Sequence, residues 1–175
     1  MILSLQKYFL YFLNNLLTLP VKQVLHSMLS PMLSEIESLN ILIAEDDQDI
    51  VRMYEKVLEN KTNHITVTTH GEECLRIYNE KFKEITAATN SYDQPFDILI
   101  LDYKMPNIDG FEVAKRIISI NPRQRIILAS AYGKDIFEDA AEYFNLPIDI
   151  LQKPFSRKQL IELVEKKRTL PKALA

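Results

Sequence analysis

From Asn40 onward the chain alternates between two hydrophobic rhythms. Five short runs are apolar or β-branched almost throughout: "NILIAEDD" (40–47), "HITVTTH" (64–70), "FDILILDY" (96–103), "RIILASAY" (125–132) and "IDILQK" (148–153). All five predict strands, and the runs at 40–47 and 96–103, which have no polar face before their closing acids, predict strands buried on both sides. The intervening stretches carry apolar residues at helical spacing. Residues 48–58 place Ile50, Val51, Tyr54, Val57 and Leu58 on one side, and residues 72–82 do the same with Cys74, Leu75, Ile77 and Tyr78. Further helices are predicted at 110–120, closed by Asn121-Pro122, at 135–144 after Gly133, and at 157–167 with Ser156 as the N-cap. Strict βα alternation predicts an α/β domain: a doubly wound, five-stranded parallel sheet with helices on both faces, over residues 39–168. The polar stretch "KFKEITAATNSYDQP" (81–95) predicts a helix extension and a surface loop.

Residues 1–38 are a different kind of polypeptide. Only Lys7, Lys22, Glu35 and Glu37 are charged there, out of 21 Lys and Arg and 24 Asp and Glu in the chain. Val21, Val24, Leu25, Met28, Leu29, Met32 and Leu33 recur as one helical stripe, with Pro20 suiting a helix start and Pro31 its end. A membrane span needs about 20 mostly apolar residues. The run from Tyr8 to Leu19 is shorter and holds Asn14, Asn15 and Thr18, so no span is expected. A basic start and a small-residue cleavage site, the marks of a secretory signal, are not clear either. An apolar helical extension remains, packing on the domain, on a partner or on a second copy through residues 1–33. The last residues, 169–175, are expected to be a short tail with no output domain after it.

Composition narrows the function classes. At 47% hydrophobic and 26% charged, the chain can build a core. A net charge of −3 gives no general attraction to nucleic acid, and no recognition-helix unit is present, so direct DNA binding is not expected. Cys74 alone cannot form an internal disulfide, and with His26, His64 and His70 scattered there is no zinc-ligand spacing. Three glycines, Gly71, Gly110 and Gly133, cannot make GxGxxG, a Walker loop or a GxSxG elbow.

In an open parallel sheet, ligands bind beyond the carboxyl ends of the strands. At those ends stand Glu45, Asp46 and Asp47 after the first strand, Asp102 on the third, Ser130 on the fourth and Lys153 after the fifth. Any one alone reads as a turn former or a cap. Together they make an oxygen-rich acid cluster suited to a hard divalent cation such as Mg2+. A hydroxyl and an ammonium beside it suit a phosphoryl group, for which an aspartate can be the nucleophile.

Residues 39–167, with "ILIAEDD", "DILILDYKMPNIDGFEVAKRI", "RIILASAY" and "ILQKPF", resemble the receiver domain of two-component response regulators, in the single-domain, chemotaxis-regulator-like form and of flavodoxin-like fold. The resemblance implies that Asp102 is the phosphoacceptor, becoming 4-aspartylphosphate. It implies that Asp46 binds Mg2+ directly and Glu45 through water, with Asp102 and the Lys104 backbone carbonyl as further ligands. Ser130 is then the switch hydroxyl, and Lys153 the phosphate contact before a cis Pro154. A histidine kinase or phosphotransfer protein is the implied donor. A downstream protein reading the face made by the fourth helix, fifth strand and fifth helix is the implied receiver of the signal. The resemblance also implies a cytoplasmic module that is not an enzyme, apart from self-dephosphorylation. Where the family commonly has an aromatic residue, three positions before Lys153, this chain has Ile150, which leaves Tyr103 or Tyr132 to report phosphorylation. Two other functions are weighed: a degenerate, unphosphorylated interaction domain, and an aspartyl-phosphate phosphatase or phosphotransferase. The latter typically needs a second Asp two residues after the nucleophile, where this chain has Lys104.

Overall fold

A computed structural model describes residues 38–59, 63–89, 93–132 and 148–166. The elements are β1 (Asn40–Ala44), α1 (Gln48–Leu58), β2 (His64–Thr68), α2 (Gly71–Thr89), β3 (Ile98–Asp102), α3 (Gly110–Ile120), β4 (Ile126–Ser130), β5 (Asp149–Gln152) and α4 (Arg157–Glu165). The helix predicted at 135–144, the stripe between Val21 and Leu33 and the tail at 169–175 lie outside the described residues. By its contacts the chain divides into two compact units, Met1–Ser38 and Leu39–Ala175.

The strands form one sheet in the order β2-β1-β3-β4-β5, with every pair parallel. Strand periodicity deals successive residues to opposite faces. Leu42, Ala44, Leu99, Leu101, Ile126 and Leu128 join Cys74, Tyr78, Val113 and Ile117 in the core beneath α2 and α3. Ile41, Ile43, Ile98, Ile100, Ile127 and Ala129 join Tyr54, Leu58, Leu160 and Val164 beneath α1 and α4. Each fully buried Ile or Leu contributes about 1.5–3 kcal/mol, so the two-sided strands hold the sheet rigid. Asp47, Asp109 and Ser156 cap α1, α3 and α4, Ser156 through a capping box with Gln159. α2 runs past the predicted Phe82 to Thr89. Beyond it the Gln94 side chain donates to the Arg123 carbonyl at 2.5 Å, tying the polar loop to the amino-terminal edge of the sheet.

At that same edge, Arg125 closes the carboxyl end of α4. Its guanidinium donates to the Val164 carbonyl at 2.9 Å and to that of Leu163, and lies 3.5 Å from Asp149. A cation on the last carbonyls satisfies groups the helix leaves open. The Arg125→Ala protein is therefore expected to lose about 1.5–3 kcal/mol of stability, with hydrogen exchange accelerating first in α4. Exchange no faster in α4 than in wild type would refute that clamp.

Cys74 is wholly buried. Burial pushes its thiol up to about 12, against a smaller opposing effect of a hydrogen bond with Thr68. The thiolate is the reactive species, so alkylation at neutral pH should proceed at the rate of unfolding. Labelling of the native protein as fast as a free thiol would contradict this.

Candidate functional site

The strand order reverses at β1, whose neighbours β2 and β3 are reached by crossovers in opposite directions. Just beyond that switch, Ala44 pairs with Leu101, which sets Glu45 and Asp102 side by side at the carboxyl edge. Glu45 is held by its amide, which donates to the Thr68 carbonyl at 3.0 Å, and is 1% exposed. Asp102 is fixed from both sides. The Tyr103 amide donates to the Ala129 carbonyl at 2.8 Å, and the Gly110 amide to the Tyr103 carbonyl at 3.2 Å. A Cβ on Gly110 would stand 2.1 Å from the Asp102 carbonyl oxygen. Only glycine lets the start of α3 press so closely on the end of β3.

Carboxylate oxygens of Glu45, Asp46 and Asp102 lie within 4.8 Å of one another, and Asp46 is the exposed member. The Lys153 ammonium bridges the two buried ones, at 2.7 Å from Glu45 and 2.8 Å from Asp102. In the sheet register Asp102 is level with Ala129, while Ser130 is level with Gln152. Lys153 thus starts one step beyond Ser130 and reaches back across β4. Neighbouring strands lie about 4.8 Å apart, so β5 to β3 is about 10 Å. A long, thin cationic side chain fits that span. The Lys153–Pro154 bond is cis, and the Lys153 amide donates to the Ser130 carbonyl at 2.7 Å.

Burial, and then the Asp102 charge, raise the Glu45 carboxyl above its ordinary range, against the opposing Lys153 hydrogen bond. Burial likewise raises the Asp102 carboxyl. For Lys153 burial favours the neutral amine, but the bonds to Asp102 and Glu45 outweigh it and the ammonium titrates higher than usual. Two carboxylates sharing one ammonium are thus under-neutralised. An all-oxygen cluster with surplus negative charge and one solvent-facing arm fits a hard divalent ion.

Of the strand-end residues, Glu45, Asp46, Asp102 and Lys153 come together. Asp47 does not: its Oδ1 accepts from the amides of Asp49 and Ile50, capping α1. Its place directly before a helix was the signal for that role. Ser130 is buried, and its Oγ accepts from the Tyr132 amide at 2.9 Å. Lys104 sends its ammonium over the Tyr132 ring, 4.3 Å from the centroid, a cation–π contact the sequence did not suggest. Ile150 is half-buried and packs against the α2–α3 core.

Comparison with known proteins bears on the same residues. The family model for the response regulator receiver domain matches residues 41–165. The response regulator receiver protein CpdR of Brucella abortus is 30% identical over 128 residues, which are 72% of this chain and 93% of that protein. The nisin biosynthesis regulatory protein NisR of Lactococcus lactis is 36% identical over 71% of this chain, and the match spans only 48% of NisR. Among solved structures, the receiver domain of the Arabidopsis thaliana histidine kinase CKI1, complexed with Mg2+ and BeF3−, superposes with a TM-score of 0.61. It is 20% identical, over 78% of this chain and 97% of that one.

Proposed function

Because the chain belongs to the receiver-domain family of response regulators, we propose that it accepts a phosphoryl group on Asp102 from a histidine kinase or phosphotransfer protein and passes the signal on through protein contacts. The observation that carries this reading is the meeting of Glu45, Asp46 and Asp102 with the Lys153 ammonium at the switch in strand order. A carboxylate oxygen of Asp102 attacks the donor's phosphorus. The new acyl-phosphate P–O bond forms as the bond to the donor's leaving group breaks, and the leaving group departs with that electron pair. Lys153 then meets the transferred oxygens, drawn by charge from its present partners. Glu45, Asp46 and Asp102, with the Lys104 carbonyl, would hold Mg2+, which neutralises phosphate and carboxylate charge during transfer.

Ser130 is the proposed switch. Its Oγ would turn toward the phosphoryl oxygens, giving up the Tyr132 amide and moving the segment that follows β4. That movement biases two states of the face containing β5, α4 and the residues between β4 and β5. Ile150 contributes its aliphatic packing to that face in place of an aromatic ring. Lys104, committed to the Tyr132 ring, supplies no second acid, which disfavours the phosphatase reading.

Incubation with Mg2+ and a small acyl-phosphate donor should give one phosphoryl adduct, seen by intact mass and mapped to Asp102 by peptide analysis. No adduct under those conditions would leave the chain an unphosphorylated interaction domain. Among the described residues no helix is long and apolar enough to cross a membrane. The proposed self-association through residues 1–33 is checked by sedimentation: the full chain should run larger than a monomer, and a form starting at Ser34 as a monomer. Equal mass per particle for both would dismiss it.

A further inference from the structure

Tyr54 carries a hydroxyl that the proposed reaction leaves unused. Its side chain is wholly buried beneath α1, and its oxygen has no hydrogen-bond partner among the described residues. Such an oxygen gives up its bonds to water on folding and gains none in return, a cost that leucine or phenylalanine at the same place would avoid.

Tyr54 lies seven residues past Asp47, about 10 Å along α1 from its cap at 1.5 Å per residue. Long side chains on a helix lean back toward its amino terminus, and α1 begins at the acid cluster. The ring stacks on Phe155 at 5.7 Å, two residues beyond Lys153. The charges of Glu45 and Asp102 reach the hydroxyl: after burial, they are what hold its proton above the usual phenol range. It is therefore a neutral donor wherever the fold persists, and its ring lies in the core with Ile43 of β1 and Ile100 of β3, the strands that lead to Glu45 and Asp102.

We propose that the Tyr54 hydroxyl is a reserve hydrogen-bond donor for Glu45, engaged when a divalent cation occupies the acid cluster and frees Lys153. This rests on the cation-binding part of the function proposed above. Lys153 now satisfies Glu45 at 2.7 Å. A cation among the three carboxylates repels the ammonium and competes for both of its partners. Glu45, 1% exposed, is then left with a carboxylate oxygen that Lys153 no longer bonds. In that state a shift of the Tyr54–Phe155 pair brings the phenol O–H to the carboxylate, and a charge-assisted bond replaces an orphaned group. Tyr54 is thus a positioning residue that makes the cation-bound state better bonded than the free one.

The test is Tyr54→Phe in the full chain, which keeps the ring and its stacking. Mg2+ alone is titrated calorimetrically into both proteins, and both are melted with and without it. The variant should melt at the same temperature or higher without metal, while its Mg2+ dissociation constant rises three- to ten-fold. An unchanged dissociation constant overturns the proposal and leaves the cation site standing. A lower metal-free melting temperature overturns it too, because the hydroxyl must then already be bonded. Absence of Mg2+ binding by wild type would overturn both this inference and the cation site itself.

Discussion

The Asp102→Asn protein is expected to fold and to take no phosphoryl group. The substitution is nearly isosteric at a position 9% exposed, and the backbone bonds through Tyr103 and Gly110 do not depend on the side chain. It removes the nucleophile outright, since an amide oxygen is a far weaker base than a carboxylate. It also removes one of two carboxyls held above their ordinary range by burial, so metal-free stability should rise while Mg2+ affinity falls. Intact mass after acyl-phosphate treatment should match the untreated protein. An adduct as abundant as in wild type would move the phosphoacceptor elsewhere.

The Lys153→Met protein should show the largest loss of stability. Methionine fills much of the same channel but leaves Glu45 and Asp102 facing one another without their shared ammonium. Breaking one side of a buried ionic group costs about 3–5 kcal/mol at neutral pH. The pH dependence gives the sign. Both carboxyls have folded values raised above their unfolded ones, so the folded state binds protons more readily. Their ionisation opposes folding, fully at neutral pH, and the opposition fades as pH falls through the raised folded values. The variant's deficit should therefore shrink from pH 7 toward pH 5, and saturating Mg2+ should shrink it at either pH. Chemical denaturation at the two pH values, with and without Mg2+, checks this. A deficit that grows on acidification would mean that the carboxylates are stabilised by some other cation. Wild type also carries an opposite limb at high pH: stability from the raised Lys153 ammonium is lost only above its ordinary value of 10.5.

The elements were legible because the three inner strands, β1, β3 and β4, are buried on both faces, while the edge strands β2 and β5 are only half-buried. A run such as "ILILD" has no polar side, and nothing but the interior of a parallel sheet accommodates it. Helix caps were legible where Ser156 stands alone before a periodic stretch. At Asp47 the place before a helix was a cap signal too, but it follows two other acids, and only the direction its side chain takes separates it from them. The acid cluster could be assembled from strand ends because a parallel sheet sends all those ends to one edge. Which acids lie inside and which face solvent follows from the register, and register between strands over 50 residues apart is not written in local pattern. The Tyr54 hydroxyl was hidden for a different reason. In the sequence Tyr54 is one apolar member of a helical stripe, and its orphaned oxygen exists only once α1, α4 and the sheet close around it.

The extended α2 and the polar loop after it have a use for anyone building sensors from this chain. The loop returns the chain to the start of β3, at the edge opposite Glu45, Asp46 and Asp102, and Gln94 on its far side is exposed, its side chain donating to the Arg123 carbonyl. Exposed loop tips are where foreign domains are accepted most readily. A fluorescent module inserted near Asp93 would ride on α2, whose first turn abuts the Ile108 segment between Asp102 and α3. Its emission would report on the acid edge without standing in the path of the phosphoryl donor.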